Sequence, residues 1–305
     1  MVAKQKPKEN SDLIKEFQDY LLVERGLSEN SIFAYSYDVK KFLDYYAKKM
    51  RNKEIYATTP DDIVAFMKIQ QDLNISTRSR ARELAALRQF FGYLRDEGRI
   101  NVNPADKVEP PEIKRNLPDY LTVAEIHQLF SVFDEHDPYE IRDRAIFEMM
   151  YSSGLRISET CTIKFSDVDL KELMIAVQGK GGRERLIPFG QKSKEIIEDY
   201  LTNSREVILR DRESEFLFVS KKGEGLNRKS VWRLLKKYIS RTGITKTVTP
   251  HTFRHSFATH LIENNADLRS VQELLGHLDI ATTQIYTHMA TSQLKEVHKK
   301  HHPRG

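Results

Sequence analysis

Residues 249–288 read TPHTFRHSFATHLIENNADLRSVQELLGHLDIATTQIYTH, and the reading of this stretch decides the fold. Thr249 supplies a helix cap, and Pro250 suits the first helical position, where its fixed φ and missing N–H cost nothing. His251, Arg254 and His255 follow at helical spacing. At ~100° per residue they share an arc of roughly 100° near the helix N-terminus. Free backbone N–H groups and the positive end of the helix dipole favour an anion such as phosphate there. Phe253, Phe257 and Leu261, at i, i+4 and i+8, form an ordinary core stripe and need no functional explanation. A second helix starts at Asp267 and stops at Gly276, a good C-terminal breaker. His277 comes directly after that stop, and a third short segment carries Tyr286.

His251, His277, Arg254 and Tyr286 thus hang on or beside the ends of short helices. Arginine grips phosphate oxygens as a fork. Histidine passes a proton near neutral pH, and tyrosine can act as a nucleophile. The set reads as a site that attacks a phosphodiester covalently. In spacing it resembles the tyrosine recombinases (the phage integrases): His251-Thr-Phe-Arg254-His255, then Leu275-Gly276-His277, then a tyrosine nine residues on, Tyr286. The flanking text, through the closing HHPRG, resembles the Xer branch. One departure is Asn265, where the family has glycine before Ala-Asp-Leu-Arg; asparagine tolerates the left-handed backbone that the turn needs.

The charge pattern agrees. The 305 residues carry 49 Lys+Arg against 44 Asp+Glu, a mild excess. From Gly225 to Ile262, however, there is no acid, while Arg228, Lys229, Arg233, Lys236, Lys237, Arg241, Lys246 and Arg254 all fall there. Such a band suits a polyanion. One cysteine, Cys161, excludes an intrachain disulfide and fits a reducing cytoplasm; its apolar surroundings mark it as a small core residue. MVAKQKPKEN has no apolar run to suggest a signal peptide, and no 18-residue apolar stretch suggests a membrane span.

Upstream, apolar spacing and caps predict four helices: Asp12 to Leu22, one capped by Ser28, Thr59-Pro60 to Asp72, and Ser76 to Gly98. Short loops between them make an all-α bundle over residues 11–102. Arg78, Arg80 and Arg82 open the fourth helix and are candidates for DNA contact, although alternate spacing keeps them off one face. Residues 103–119, with Pro104, Pro110, Pro111 and Pro118, read as a stiff linker. Residues 120–305 form a second domain. It opens with Thr122 as a cap and Glu125 three residues on. A strongly apolar helix follows from Arg142 to Ser152, and Gly154 ends it before Arg156. Glu172 to Val177 and Arg185 to Phe189 read as strands around a glycine-rich turn that holds Lys180. The glycine and lysine spacing is not that of a nucleotide-binding loop. Helices are also expected over Ile196 to Leu209, Lys229 to Arg241 and Leu294 to Lys300, with Trp232 as packing. His298, His301 and His302 lack the carboxylate or thiolate companions of a metal site.

The resemblance implies more than the spacing does. It implies a mainly α protein: an N-terminal four-helix, SAM-like core-binding domain and a C-terminal α+β catalytic domain with a small β-sheet. It implies that Gly154-Leu155-Arg156-x-x-Glu159 supplies an arginine for the scissile phosphate, with Glu159 bracing it. Lys180 becomes the catalytic lysine of a β-hairpin turn. Arg156, Lys180, His251, Arg254, His277 and Tyr286 are then the catalytic set, with Arg78, Arg80, Arg82, Lys229 and Arg233 as further DNA contacts. The implied partners are a double-stranded recombination site, a tetramer with itself or a paralogous recombinase, and a septal DNA translocase, with the tail docking on a neighbouring protomer. No cofactor and no metal are expected. Rival readings are a type IB topoisomerase, a mobile-element integrase and a basic architectural DNA-binding protein. A metal nuclease is weaker, since Asp61-Asp62 and Asp167/Asp169 stand without a wider carboxylate cluster.

Overall fold

The structure, a computed structural model, describes residues 10–49, 54–112, 120–178, 184–276 and 288–305, without the side chains of 288–291. The chain divides into two compact units, 1–116 and 117–305. It is mainly helical, with one three-stranded antiparallel sheet among the described residues.

The first unit is a bundle of α1 (Asn10–Val23), α2 (Glu29–Lys49), α3 (Pro60–Asp72) and α4 (Thr77–Asp96). Local chemistry sets the bounds. Thr59 and Asp62 form a reciprocal capping box with Pro60 at the first position of α3, and Ser76 caps α4. Phe17, Phe42, Phe66, Phe90 and Phe91 are fully buried, with edge-on ring pairs such as Phe42–Phe66 at 5.2 Å. Part of the expected linker belongs to this unit. Ala105 and Val108 join its core, and the Arg88 guanidinium donates to both their carbonyls at 3.2 and 2.7 Å. A tether can therefore start only beyond Val108.

The second unit is organised around α6 (Pro138–Ser153), which is buried nearly all round. Asp137 caps it, Pro138 fills its first turn, and Gly154 ends it in the left-handed region at φ 59°. α5 (Val123–Phe130), α7 (Ile157–Thr162), α8 (Gln191–Tyr200), α9 (Glu206–Leu209), α10 (Arg228–Ile239) and α11 (Pro250–Glu263) complete its helical body. The helix expected over Ile196 to Leu209 is broken by a π turn at Leu201–Arg205. The sheet runs β1 (Val168–Asp169), β2 (Met174–Gln178), β3 (Glu184–Pro188), with Met174 opposite Pro188 and Gln178 opposite Glu184. β1 is a two-residue strand that the sequence pattern did not signal.

α12 (Leu268–Leu275) and α13 (His288–His301) close the unit over Phe257 and Leu261. α13 is longer than the Leu294 to Lys300 segment expected. In this structure the tail is seated on its own domain: Arg304 pairs with the fully buried Glu148 at 2.8 Å, and the His298 ring N–H donates to the Ser152 carbonyl at 2.8 Å. His298 and His302 stack 4.9 Å apart beside Tyr151. Burial pushes the His298 imidazole down to about 4, so it is neutral in the folded chain.

That burial gives the tail a pH dependence. The unfolded chain binds a proton on His298 at an ordinary value near ~6.5, whereas the folded chain resists it down to about 4. The stability is full above the ordinary value and is lost as pH falls through that window. Melting temperature should fall on acidification from pH ~6.5 toward ~4, and H298N should flatten the slope by about one proton. An unchanged slope in H298N would remove His298 as the sensor.

Candidate active site

Two glycine turns place the candidate residues. Gly154 must be glycine on two counts: its φ is left-handed, and a Cβ there would lie 2.5 Å from the Phe257 ring. Released from α6 at that point, the chain turns so that Arg156 caps α7. The Arg156 backbone N–H donates to Glu159 Oε2 at 2.8 Å, and its Nη1 donates to Oε1 at 2.8 Å. The Arg156 side chain is 35% exposed, so its fork still reaches solvent. Gly276, at φ 63°, ends α12 in the same way, directly before His277. Asn265 takes the left-handed conformation expected of it, at φ 67°.

Arg254 joins the two turns. It lies on α11, which Thr249, Thr252 and Pro250 start with a capping box. It is 7% exposed. Its Nη1 donates to the Gly154 carbonyl at 2.6 Å, and its Nη2 donates to the Leu275 carbonyl. Burial, then the nearby Arg156, lowers its guanidinium to about 10, which leaves it charged at neutral pH. His251, one turn earlier, is exposed at the helix N-terminus, and His255 is half-buried with its ring edge-on to Tyr120.

Sequence reasoning did not single out Arg185. It lies on β3, 7% exposed, and chelates the same carboxylate as Arg156: Nη1 to Glu159 Oε1 at 2.9 Å and Nη2 to Oε2 at 3.0 Å. Burial alone would raise the Glu159 carboxyl, but the hydrogen bonds from Arg185 and Arg156 hold it below the usual carboxylate range. The signal was in the strand alternation: Arg185 shares the inward face with Ile187, while Leu186 points out.

Arg156, Glu159, Arg185 and Arg254 are thus brought together, with His251 on the same helix as Arg254. Lys180, His277 and Tyr286 lie outside the described residues. Gln178 and Glu184, paired across β2 and β3, bracket in sequence the residues that include Lys180. Among the described residues no group of three or more His, Cys, Asp or Glu is placed to hold a metal ion, and no helix is long and apolar enough to cross a membrane.

The acid-free band sorts into two faces. Lys237 and Arg241 pair with Glu140, and Lys246 pairs with Glu125. Arg228, Lys229, Arg233 and Lys236 are exposed on α10 without an ion pair among the described residues. Trp232, expected as packing, is instead 39% exposed, with the Lys236 ammonium 3.9 Å from its ring centroid. In the first unit, Arg82 forks onto the buried Asp38 at 2.7 and 3.1 Å, and Arg80 donates to Gln71 at 2.9 Å. Arg78 is exposed.

Comparison with known proteins places the chain in one class. Residues 119–293 match the phage integrase family, and residues 14–98 match the phage integrase N-terminal SAM-like domain. The chain belongs to the phage integrase family and is a tyrosine recombinase. It is 43% identical to tyrosine recombinase XerD of Listeria monocytogenes over 97% of this chain and 100% of that one. It is 39% identical to XerD of Shewanella oneidensis over 96% and 97%. In fold it is similar to the XerH site-specific recombinase bound to a palindromic difH substrate, with TM-score 0.71, 22% identity, and 94% and 83% of the two chains covered.

Proposed function

We propose that this chain exchanges DNA strands between two copies of one site, and that it resolves chromosome or plasmid dimers. The single observation that carries this is the pair of arginines, Arg156 and Arg254, held by two glycine turns, one of which ends where the Leu275-Gly276-His277 motif leads on to Tyr286. Full-length similarity to XerD proteins supports the biological role.

In the proposed chemistry the Tyr286 oxygen attacks a DNA phosphate in line. A phosphorus–oxygen bond forms to tyrosine, and the bond to the 5′ oxygen breaks, giving a 3′-phosphotyrosine and a free 5′-hydroxyl. The energy of the broken bond stays in the new one, so no ATP is consumed. The 5′-hydroxyl of another strand reverses the step, and a second round passes through a four-way junction. Arg156 and Arg254 clamp the non-bridging oxygens. His251 takes the tyrosine proton, His277 hydrogen-bonds the phosphate, and Lys180 protonates the leaving 5′ oxygen. Two guanidiniums supply the electrostatic stabilisation that a cation supplies in nucleases. Arg78, Arg80, Lys229 and Arg233 contact the DNA backbone; Arg82 does so only if it leaves Asp38. The chain works in the cytoplasm as a tetramer with itself or a paralogous recombinase, and a septal DNA translocase activates it.

A supercoiled plasmid carrying two directly repeated copies of the site, recovered by sequencing DNA trapped covalently on the protein, tests this. Two smaller circles are expected. Relaxed plasmid without exchange would indicate a topoisomerase, and binding without any covalent product would indicate an architectural protein.

Lys180 has its own test. An alkoxide leaving group needs a proton, and a thiolate scarcely does. K180A should lose about 10²–10⁴-fold in cleavage rate on normal DNA and regain most of it when sulfur replaces the bridging 5′ oxygen. R156A and R254A should not regain it. Equal slowness of K180A on both substrates would show that the lysine only positions DNA.

A further inference from the structure

Glu159 presents a problem for the proposed chemistry. A carboxylate paired with the Arg156 guanidinium takes up positive charge the phosphate needs. Glu159 Oε1 accepts from Arg156 Nη1 and Oε2 accepts from the Arg156 backbone N–H, both at 2.8 Å. Arg185 meets the same two oxygens from the other side, at 2.9 and 3.0 Å. Arg156 and Arg185 both contact Glu159, and Arg254 lies close enough to feel the charge of all three. The three guanidinium charges exceed that of the one carboxylate by two. A phosphodiester carries one negative charge, and about two gather in its five-coordinate transition state, where fixed positive groups act most strongly.

Arg185 also lies against the other turn. A Cβ at Gly276 would come within 3.0 Å of Arg185 Nε and 3.1 Å of its Cδ, so the bare glycine backbone rests directly on this side chain. That Nε is buried and has no hydrogen-bond partner among the described residues. One inward-facing strand residue therefore touches both the brace of Arg156 and the residue before His277.

We propose that Arg185 is a positioning residue for strand transfer: it shares Glu159 so that the Arg156 charge remains available to the scissile phosphate, and it supports the Gly276 turn that ends α12. This rests on the function proposed above. A plain buried ion pair would stabilise the fold without altering how the site responds to phosphate charge.

The test compares R185M, R185Q and R185K with wild type in single-turnover cleavage of a nicked duplex carrying the trapped site. Each protein is also measured on the same duplex with a methylphosphonate at the scissile position, where one charged oxygen is replaced by a neutral methyl. Binding is measured separately. R185M should bind DNA within about 3-fold of wild type and cleave the phosphate about 100-fold more slowly. On the methylphosphonate its deficit should shrink to about 3-fold or less. R185K should recover part of the rate on phosphate, because it keeps the charge but not the fork. If R185M does not fold, R185Q retains one donor to Glu159 without the charge, and the same split between substrates is expected of it. An R185M or R185Q rate near wild type on phosphate would overturn the proposal. So would an equal deficit on both substrates, which marks a purely structural role. If wild type itself forms no adduct, the proposed function fails and this role falls with it; a wild-type adduct with unaffected variants removes this role alone.

Discussion

Tyr286→Phe is expected to bind DNA as the wild-type chain does and to form no covalent adduct with it. The change removes one oxygen and leaves the ring, so packing and DNA contacts are conserved while the nucleophile is lost. Three tyrosines of the same unit are poorly suited to replace it. Tyr151, Tyr200 and Tyr238 are all fully buried, and burial raises each of their phenols, to about 12 for Tyr200. A buried, hard-to-ionise phenol is a poor nucleophile. Incubation with nicked duplex followed by a denaturing gel checks this. A shifted band of wild-type intensity from the phenylalanine variant would remove Tyr286 as the attacking group.

Arg254→Ala should fail in two ways at once. The guanidinium donates to the Gly154 and Leu275 carbonyls and so ties together the turns before Arg156 and His277. Hydrogen bonds from a charged group contribute roughly 1.5–3 kcal/mol each. The alanine variant leaves both buried carbonyls without that donor and opens the space between the turns. It also removes the positive charge proposed above to meet the phosphate, a loss on the order of 10²–10³-fold by itself. Cleavage should therefore fall by at least ~10³-fold, with a lower melting temperature. Arg254→Lys should regain stability more than rate, since one ammonium cannot bridge two carbonyls and a phosphate as a planar fork does. A variant that melts lower but cleaves within about tenfold of wild type would confine Arg254 to a structural role.

The parts of this fold legible in the sequence are those fixed by neighbours along the chain. Thr59-Pro60 started α3 as read because the cap, the proline and Asp62 lie within three residues. Gly154, Gly276 and Asn265 were legible because a left-handed residue at a helix end restricts which side chains fit. Phe253, Phe257 and Leu261 proved fully buried, as the helical period implied. What escaped reading depends on partners far away in sequence. Arg82 looked free for DNA but meets Asp38, 44 residues earlier. The helix-period pattern gave no reason for Trp232 to lie exposed under Lys236. Residues 103–108 looked like tether because prolines and polar residues hide the fit of Ala105 and Val108 against α4. Arg185 was read only as the start of a strand; its importance comes from facing inward onto Glu159, 26 residues away.

The most direct test of the central claim is to map where DNA becomes attached. Wild-type protein is trapped on nicked duplex, digested with nuclease and trypsin, and the nucleotide-bearing peptide is sequenced by mass spectrometry. The account predicts a 3′-phosphate linked to Tyr286, within the tryptic peptide spanning residues 270–295, where Tyr286 is the only tyrosine. Attachment to any other residue, or linkage through a 5′-phosphate, would contradict it.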